Sequence, residues 1–347
     1  MQYKKLGNTD IDISQLCLGS MTWGTQNSVE DACEQIDYSL DKGVNIIDTA
    51  ELYPATPLSA ETQGRTEEFI GQWVSRSGKR DQVLIASKVA GNGPKWIDNG
   101  ANIDSRKIRK SLENSLQRLN TDHIDLYQLH WPNRGSYHFR QSWTFDPTKQ
   151  NREQFLDHIL DVLQTLQSLI NEGKIRHIGL SNESCWGTLQ FLSAAEQNNF
   201  PRIVTVQNEY SLMQRIFDLD FAELAHNEQV GLLAFSPLAC GLLTGKYEND
   251  VIPEGSRRTI AKDLTGRLSE KSKPALNRYI DLAREHGLEP AQMALAFCMT
   301  RPFMTSVIFG ATTMAQLKVN LGAADLQLSD EIMQGIADIY RDYPIPM

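Results

Sequence analysis

The sequence predicts a (β/α)8 TIM barrel with an N-terminal β-hairpin closing its bottom. Three observations predict it. Eight short apolar runs alternate with segments of helical periodicity, the pattern of a parallel sheet wrapped by helices. No composition break marks a linker, so residues 1–347 read as a single barrel domain. Polar or ionisable residues close run after run, and parallel barrel strands would gather them at one mouth.

The elements follow in order. Tyr3 to Leu6 and Ile11 to Ile13 flank the turn-forming Gly7-Asn8-Thr9-Asp10, a hairpin pattern. Leu16 to Gly19 is the first barrel strand, and an acidic helix over 28–42 ends at Gly43. Val44 to Asp48 is the second strand, followed by a helix over 66–75 with Phe69, Ile70, Trp73 and Val74 on one face. Strand 83–87 leads to a helix that Ser105 can cap, with Ile108, Leu112, Leu116 and Leu119 at helical spacing. Strand 124–129 precedes a long helix around 153–171 that Gly173 stops. Strands 175–180, 203–206 and 231–235 come next, the first two each followed by a helix. A polar excursion over 245–272 separates the third from helices 274–286 and 290–301. Val307 to Phe309 is the last strand, and helices over 315–323 and from Asp330 complete the chain.

The formal net charge of −9 argues against nucleic acid, whose binding needs a basic face, and it disfavours an anionic membrane surface. No apolar segment is long enough to span a bilayer, and Met1 to Asn8 lacks the apolar run of a secretory signal. The five cysteines are scattered without a Cys-x-x-Cys pair, which predicts free thiols and a cytoplasmic protein.

Asp48, Lys88 and His130 each close or follow a strand, about 40 residues apart, and Tyr53 lies five residues beyond Asp48. A phenol has a reference pKa of about 10, and a nearby ammonium lowers it. Lys88 can supply that ammonium, Asp48 can hold it charged, and His130 can donate to a substrate oxygen or relay a proton. Together they form a general acid aimed at a carbonyl that receives hydride, with no metal and no covalent nucleophile. Lys88 alone also admits a Schiff-base chemistry.

These residues stand in DTAELY (48–53), IASKV (85–89) and DLYQLHWP (125–132), and they resemble the tetrad of the aldo-keto reductases. The resemblance extends through IGLSN (178–182), VQNEYSL (206–212), FSPLACGLLTGKY (235–247) and GATTMAQLKVN (310–320). It is strongest to the branch that holds the bacterial Tas-type proteins and the potassium-channel β-subunits. It implies a barrel that binds NADPH/NADP+ in an extended pose without a Rossmann domain. It further implies Tyr53 as general acid, with Lys88 and Asp48 assisting and His130 positioning the carbonyl. Ser181, Asn182 and Gln207 would bond the nicotinamide amide, with Phe235 against its ring. Ser236, Leu238, Gly241 and Lys246 would line the pyrophosphate. Gly310, Thr312, Gln316 and Asn320 would meet the adenosine end, and Arg257 would reach the 2′-phosphate. Many relatives carry an acidic residue where this chain has Val319.

Residue chemistry supports the cofactor end independently. Gly310-Ala311-Thr312-Thr313 precedes a helix whose free N–H groups can hold a phosphate. Lys246 and Thr312 fall after the seventh and eighth strands, where such barrels bind phosphate. Gly241 to Tyr247 is not a Walker loop, and Gly91-Asn92-Gly93 lacks the third glycine of the dinucleotide fingerprint. On the substrate side, Trp23 and Trp131 follow strands directly and are expected to face the substrate. Trp96 and Trp143 lie in the long loops 91–104 and 133–152. The predicted activity is NADPH-dependent reduction of small-molecule aldehydes or ketones. The alternative is an NADP(H)-binding, redox-sensing regulator with little turnover.

Overall fold

The computed structural model describes residues 1–347. Its hairpin pairs β1 (Tyr3–Lys5) with β2 (Asp12–Ser14) antiparallel. The barrel strands are β3 (Leu16–Gly19), β4 (Ile46–Asp48), β5 (Leu84–Val89), β6 (Ile124–Leu129), β7 (Ile175–Ser181), β8 (Ile203–Glu209), β9 (Gly231–Phe235) and β10 (Met304–Phe309). All pair in parallel in sequence order, and β10 closes on β3. The (β/α)8 architecture is thus as expected.

Period-two alternation along the strands divides the core. Leu6 and Ile13 from the hairpin region meet Cys17, Ile46, Ala86, Leu126, Val204, Leu233 and Ile308 in a small inner cluster. The hairpin therefore plugs the bottom, and burying each of its two apolar side chains contributes about 2 kcal/mol. The alternate residues, such as Ile85, Val89, Tyr127 and Leu129, belong to the large outer layer beneath the helices. Lys88 and Gln128 share the parity of Ala86 and Leu126, so they continue the inner face toward the C-terminal mouth.

The surrounding helices are α1 (Val29–Asp41), α2 (Arg65–Ser77), α3 (Ser105–Leu119), α4 (Arg152–Asn171), α5 (Cys185–Asn198), α6 (Asp220–Glu228), α7 (Lys273–Glu285), α8 (Pro290–Met299), α9 (Met314–Leu321) and α10 (Asp330–Asp342). Ser28 and Asp31 form a reciprocal capping box that starts α1. Several boundaries differ from expectation, among them β8, which runs on to Glu209, and β10, which begins at Met304. β4 begins at Ile46, because the Asn45 side chain is spent on the hairpin: it accepts from Ser14 N–H at 2.8 Å and donates to Asp12 O at 2.9 Å. The cap of α3 is Asp104, whose carboxylate accepts from Lys107 N–H at 2.7 Å, and Ser105 is the first helical residue. No helix is long and apolar enough to cross a membrane.

Candidate active site

The strand ends bring the predicted acid system together. Asp48 is the last residue of β4, and Lys88 lies on β5 with no solvent exposure. Lys88 Nζ donates to Asp48 Oδ2 at 2.8 Å and to the Thr49 carbonyl at 2.7 Å. The same ammonium sits 4.9 Å from the Tyr53 ring centroid. His130, directly after β6, meets the Tyr53 ring edge-on at 5.8 Å. The other oxygen of Asp48 accepts from Gln207 Nε2 at 2.7 Å. One buried carboxylate therefore joins the lysine on β5 to a residue on β8, three strands further round the mouth.

Electrostatics separates the roles of these groups. Burial pushes the Tyr53 phenol above its ordinary range, and Lys88 pulls against that rise as a charge and as a hydrogen-bond donor. The phenol therefore holds its proton at neutral pH. Burial disfavours the Lys88 ammonium, but Asp48 and Tyr53 outweigh it and carry the lysine above its usual value. Burial, then Lys88, drives His130 well below the ordinary histidine range, so the imidazole is neutral. A Schiff-base lysine needs a neutral, accessible amine. Lys88 is neither, and the structure gives that chemistry no footing.

The second half of the mouth holds the residues expected to meet a cofactor. Ser181 ends β7 and donates to the Gln207 carbonyl at 2.9 Å. Asn182 has left-handed backbone (φ 53°), and its Nδ2 donates to the His130 carbonyl at 2.9 Å. Asn182 Oδ1 and His130 Nδ1 are buried without any partner. A carboxamide N–H₂ would satisfy the first of these. Phe235 ends β9, and Ser236 turns away with φ 53°. Gly241 has φ 94°, and a Cβ there would lie 2.9 Å from Lys246 Cε, so glycine keeps room for that side chain. Neither Lys246 nor Arg257 is neutralised by a carboxylate: burial lowers the Lys246 pKa, and Arg257 Nε is buried without a partner. Two unpaired cations at one mouth of an acidic protein fit a phosphate-bearing ligand.

Several expectations are corrected. Trp23 does not face the mouth. It is fully buried in the outer core, and its indole N–H donates to Gln35 of α1 at 3.1 Å. Its position after β3 points the ring outward beneath α1. Trp131 does lie at the mouth, 4.9 Å from the His130 ring, with its indole N–H on the Asn92 carbonyl. Arg257 contacts Met21 and acts on the Tyr53 phenol as a charge, and it makes no hydrogen bond to Thr312, Gln316 or Asn320. The turn before α9 is also less open than expected. Gln316 Oε1 accepts from Thr312 N–H at 3.0 Å, and Thr313 caps Gln316 N–H. Asn320 donates to the Gly310 carbonyl at 3.3 Å.

Other residues escaped sequence reading. Gln128 is fully buried and accepts from Gln207 Nε2 at 3.3 Å, and its signal was a polar residue two before His130 on the same strand face. Glu51 lies between Asp48 and Tyr53 and accepts from Ala90 N–H at 2.6 Å, pinning the tyrosine loop to the end of β5. Burial raises its pKa to about 7. Gly91 leaves space for Trp131, since a Cβ there would fall 2.0 Å from the indole nitrogen.

The family model described as "Aldo/keto reductase family" matches residues 15–341. The chain is 43% identical to "Protein tas" of Escherichia coli (strain K12) over 100% of its own length and 99% of the relative's. It is 32% identical to "Uncharacterized oxidoreductase YrpG" of Bacillus subtilis (strain 168), over 98% and 96% of the two chains. It is 30% identical to "Probable voltage-gated potassium channel subunit beta" of Arabidopsis thaliana, over 99% and 98%. With the closed barrel and this constellation at its mouth, the chain belongs to the aldo/keto reductase family and is an oxidoreductase by that membership.

Proposed function

We propose that the protein reduces the carbonyl group of small-molecule aldehydes or ketones with NADPH, and that Tyr53 is the general acid. One observation carries the reading: a buried Asp48–Lys88 pair is held against the phenol of Tyr53, with neutral His130 edge-on to the same ring. NADPH, when bound, would supply the hydride that the carbonyl carbon takes up. The carbonyl oxygen then gains charge, and the Tyr53 hydroxyl delivers its proton there. Lys88 stabilises the phenolate left behind, and Asp48 keeps Lys88 charged. His130 presents an uncharged imidazole that orients the oxygen without competing as acid.

Ser181, Asn182 and Gln207 hold the carboxamide, with the orphaned Asn182 Oδ1 as acceptor. Phe235 lies against the ring. Ser236, Leu238, Gly241 and Lys246 would serve the pyrophosphate, Gly310, Thr312, Gln316 and Asn320 the adenosine end, and Arg257 the 2′-phosphate. Trp131 forms one wall for the substrate.

The test is fluorescence titration with NADPH and NADH, followed by a panel of carbonyl compounds. Tyr53→Phe should lower turnover by about 10³ and leave NADPH affinity within about twofold. Undiminished turnover sinks the acid assignment. The relationship to a channel-subunit sequence supports one rival, a regulator that binds NADP(H) with little turnover. Tight binding of NADPH with no turnover on any carbonyl would favour it.

A further inference from the structure

Two long loops cross the mouth and meet at a single carboxylate. Glu209 is the last residue of β8, two beyond Gln207 and on the same face of the strand. Its Oε1 accepts from Arg267 Nε at 2.8 Å and from Arg140 Nη1 at 3.4 Å. Arg267 belongs to the 245–272 strap that carries Lys246 and Arg257, and Arg140 belongs to loop 133–152 beside the substrate wall. Phe139, next to Arg140, packs edge-on against Trp131 at 6.0 Å.

The loops also touch directly, since a Cβ on Gly266 would lie 3.6 Å from Arg140 Cγ. Both turn sharply there: Phe139 and Arg140 have φ 55° and 67°, and Leu264 and Thr265 have φ 53° and 58°. L-residues adopt this backbone at a cost, so the surroundings must hold it. All three charged side chains are largely buried, and Arg140 Nη2 has no partner. Two guanidiniums share one carboxylate oxygen, so loss of either changes how firmly the other is held. The middle of the strap is tied to the loop after β3, where Gln26 Nε2 donates to the Gly255 carbonyl at 3.3 Å.

We propose that Glu209 is a positioning residue that clasps the cofactor strap to the substrate loop, so that retention of the cofactor depends on Arg140, a residue outside the strap. This rests on the reading that NADPH lies under residues 245–272. The clasp predicts that the two loops open together and that the cofactor leaves faster when either arginine is lost.

The test uses the full chain and follows NADPH release by fluorescence after a chase with excess NADP+. Arg140→Leu should speed release by about tenfold and raise the substrate KM, while kcat with both ligands saturating changes by less than about threefold. Arg140→Lys should recover most of the loss. Arg140→Leu combined with Glu209→Gln should release NADPH no faster than the faster single variant. Unfolding midpoints check that each variant is folded, and Arg140, on an outer loop, carries the test if Glu209→Gln does not fold. A release rate for Arg140→Leu within about twofold of the wild type overturns the clasp, as do single effects that multiply in the double variant. A wild-type protein that binds no NADPH at all sinks the cofactor reading itself, a distinct outcome.

Discussion

Asp48 and Glu209 are built on one plan and give different results. Each is a buried carboxylate at the end of a barrel strand, and each accepts from two donors. Asp48 divides the work: one oxygen takes Lys88, the other takes Gln207, and both partners ride on strands of the closed barrel. Glu209 offers the same oxygen to both of its arginines, and both ride on loops with left-handed backbone. The first arrangement is fully satisfied and fixed by the strand ladders. The second holds an excess cation and an unpaired guanidinium N–H, so it is the less fully satisfied of the two. The barrel mouth therefore joins a rigid constellation suited to proton delivery to a looser one suited to opening.

If that contrast is right, damage at the rigid side is the most severe. Lys88→Met removes the partner of a buried carboxylate. It should destabilise the fold by about 3 kcal/mol and lower turnover by about 10²–10³, read from urea unfolding and steady-state rates. A variant as stable as the wild type would show that Gln207 alone satisfies Asp48 without the lysine, and the contrast would fail.

Next in size is a pH effect on the same side. Glu51 has its pKa raised to about 7, chiefly by burial, against the hydrogen bonds from Ala90 and Ser111. Glu67 and Arg118 face it as charges, and Lys107 feels its field in turn. An acid whose folded pKa lies above its unfolded value binds more protons in the folded state between the two. Stability should therefore fall as pH rises from about 4.5 to 7 and level off above that, by about 3 kcal/mol in all. Glu51→Gln keeps an acceptor for Ala90 N–H and should flatten that slope. A wild-type stability that rises steadily from pH 5 to 7 with no contribution from Glu51 would contradict the assignment.

The same contrast explains what could be read in the chain. Asp48, Lys88, His130, Ser181 and Gln207 were legible because a strand end fixes where its last side chains go, and parallel strands bring those ends together. Tyr53 was legible through its short tether to Asp48. Trp23 misled because following a strand says nothing about which way a loop side chain turns, and α1 offered it a buried acceptor in Gln35. The Arg140–Glu209–Arg267 contact was beyond reach for a related reason. It joins segments more than 50 residues apart through left-handed turns that no periodicity marks. Gln128 lay in plain view on the inner face of its strand, but a lone amide in an apolar run carries no chemistry until its partner Gln207 is placed.

A smaller effect is expected at the phosphate site proposed on the strap. Lys246 has no carboxylate partner, and its side chain lies against Gly241 and over the Tyr247 ring at 5.1 Å. Lys246→Met removes a charge without stranding another, so the fold should lose less than about 1 kcal/mol. NADPH affinity should fall by about tenfold, and the salt dependence of binding should weaken with it. Equal salt dependence in the two proteins would move the phosphates elsewhere.

The smallest effect belongs to the adenosine end. Val319 is 37% exposed on α9, beside Asn320. Its carbonyl already accepts from Gln292 Nε2 at 2.9 Å, so the backbone is held whatever the side chain. Val319→Glu therefore tests a ligand contact with little structural disturbance. A carboxylate there can accept from an adenine amine, and an exposed hydrogen bond to a charged group contributes about 1 kcal/mol. NADPH should bind about fivefold tighter, and NADH should gain the same factor because both carry adenine. A gain confined to neither, with unchanged affinity for both, would place the adenine away from α9 and leave the strap as the main anchor of the cofactor.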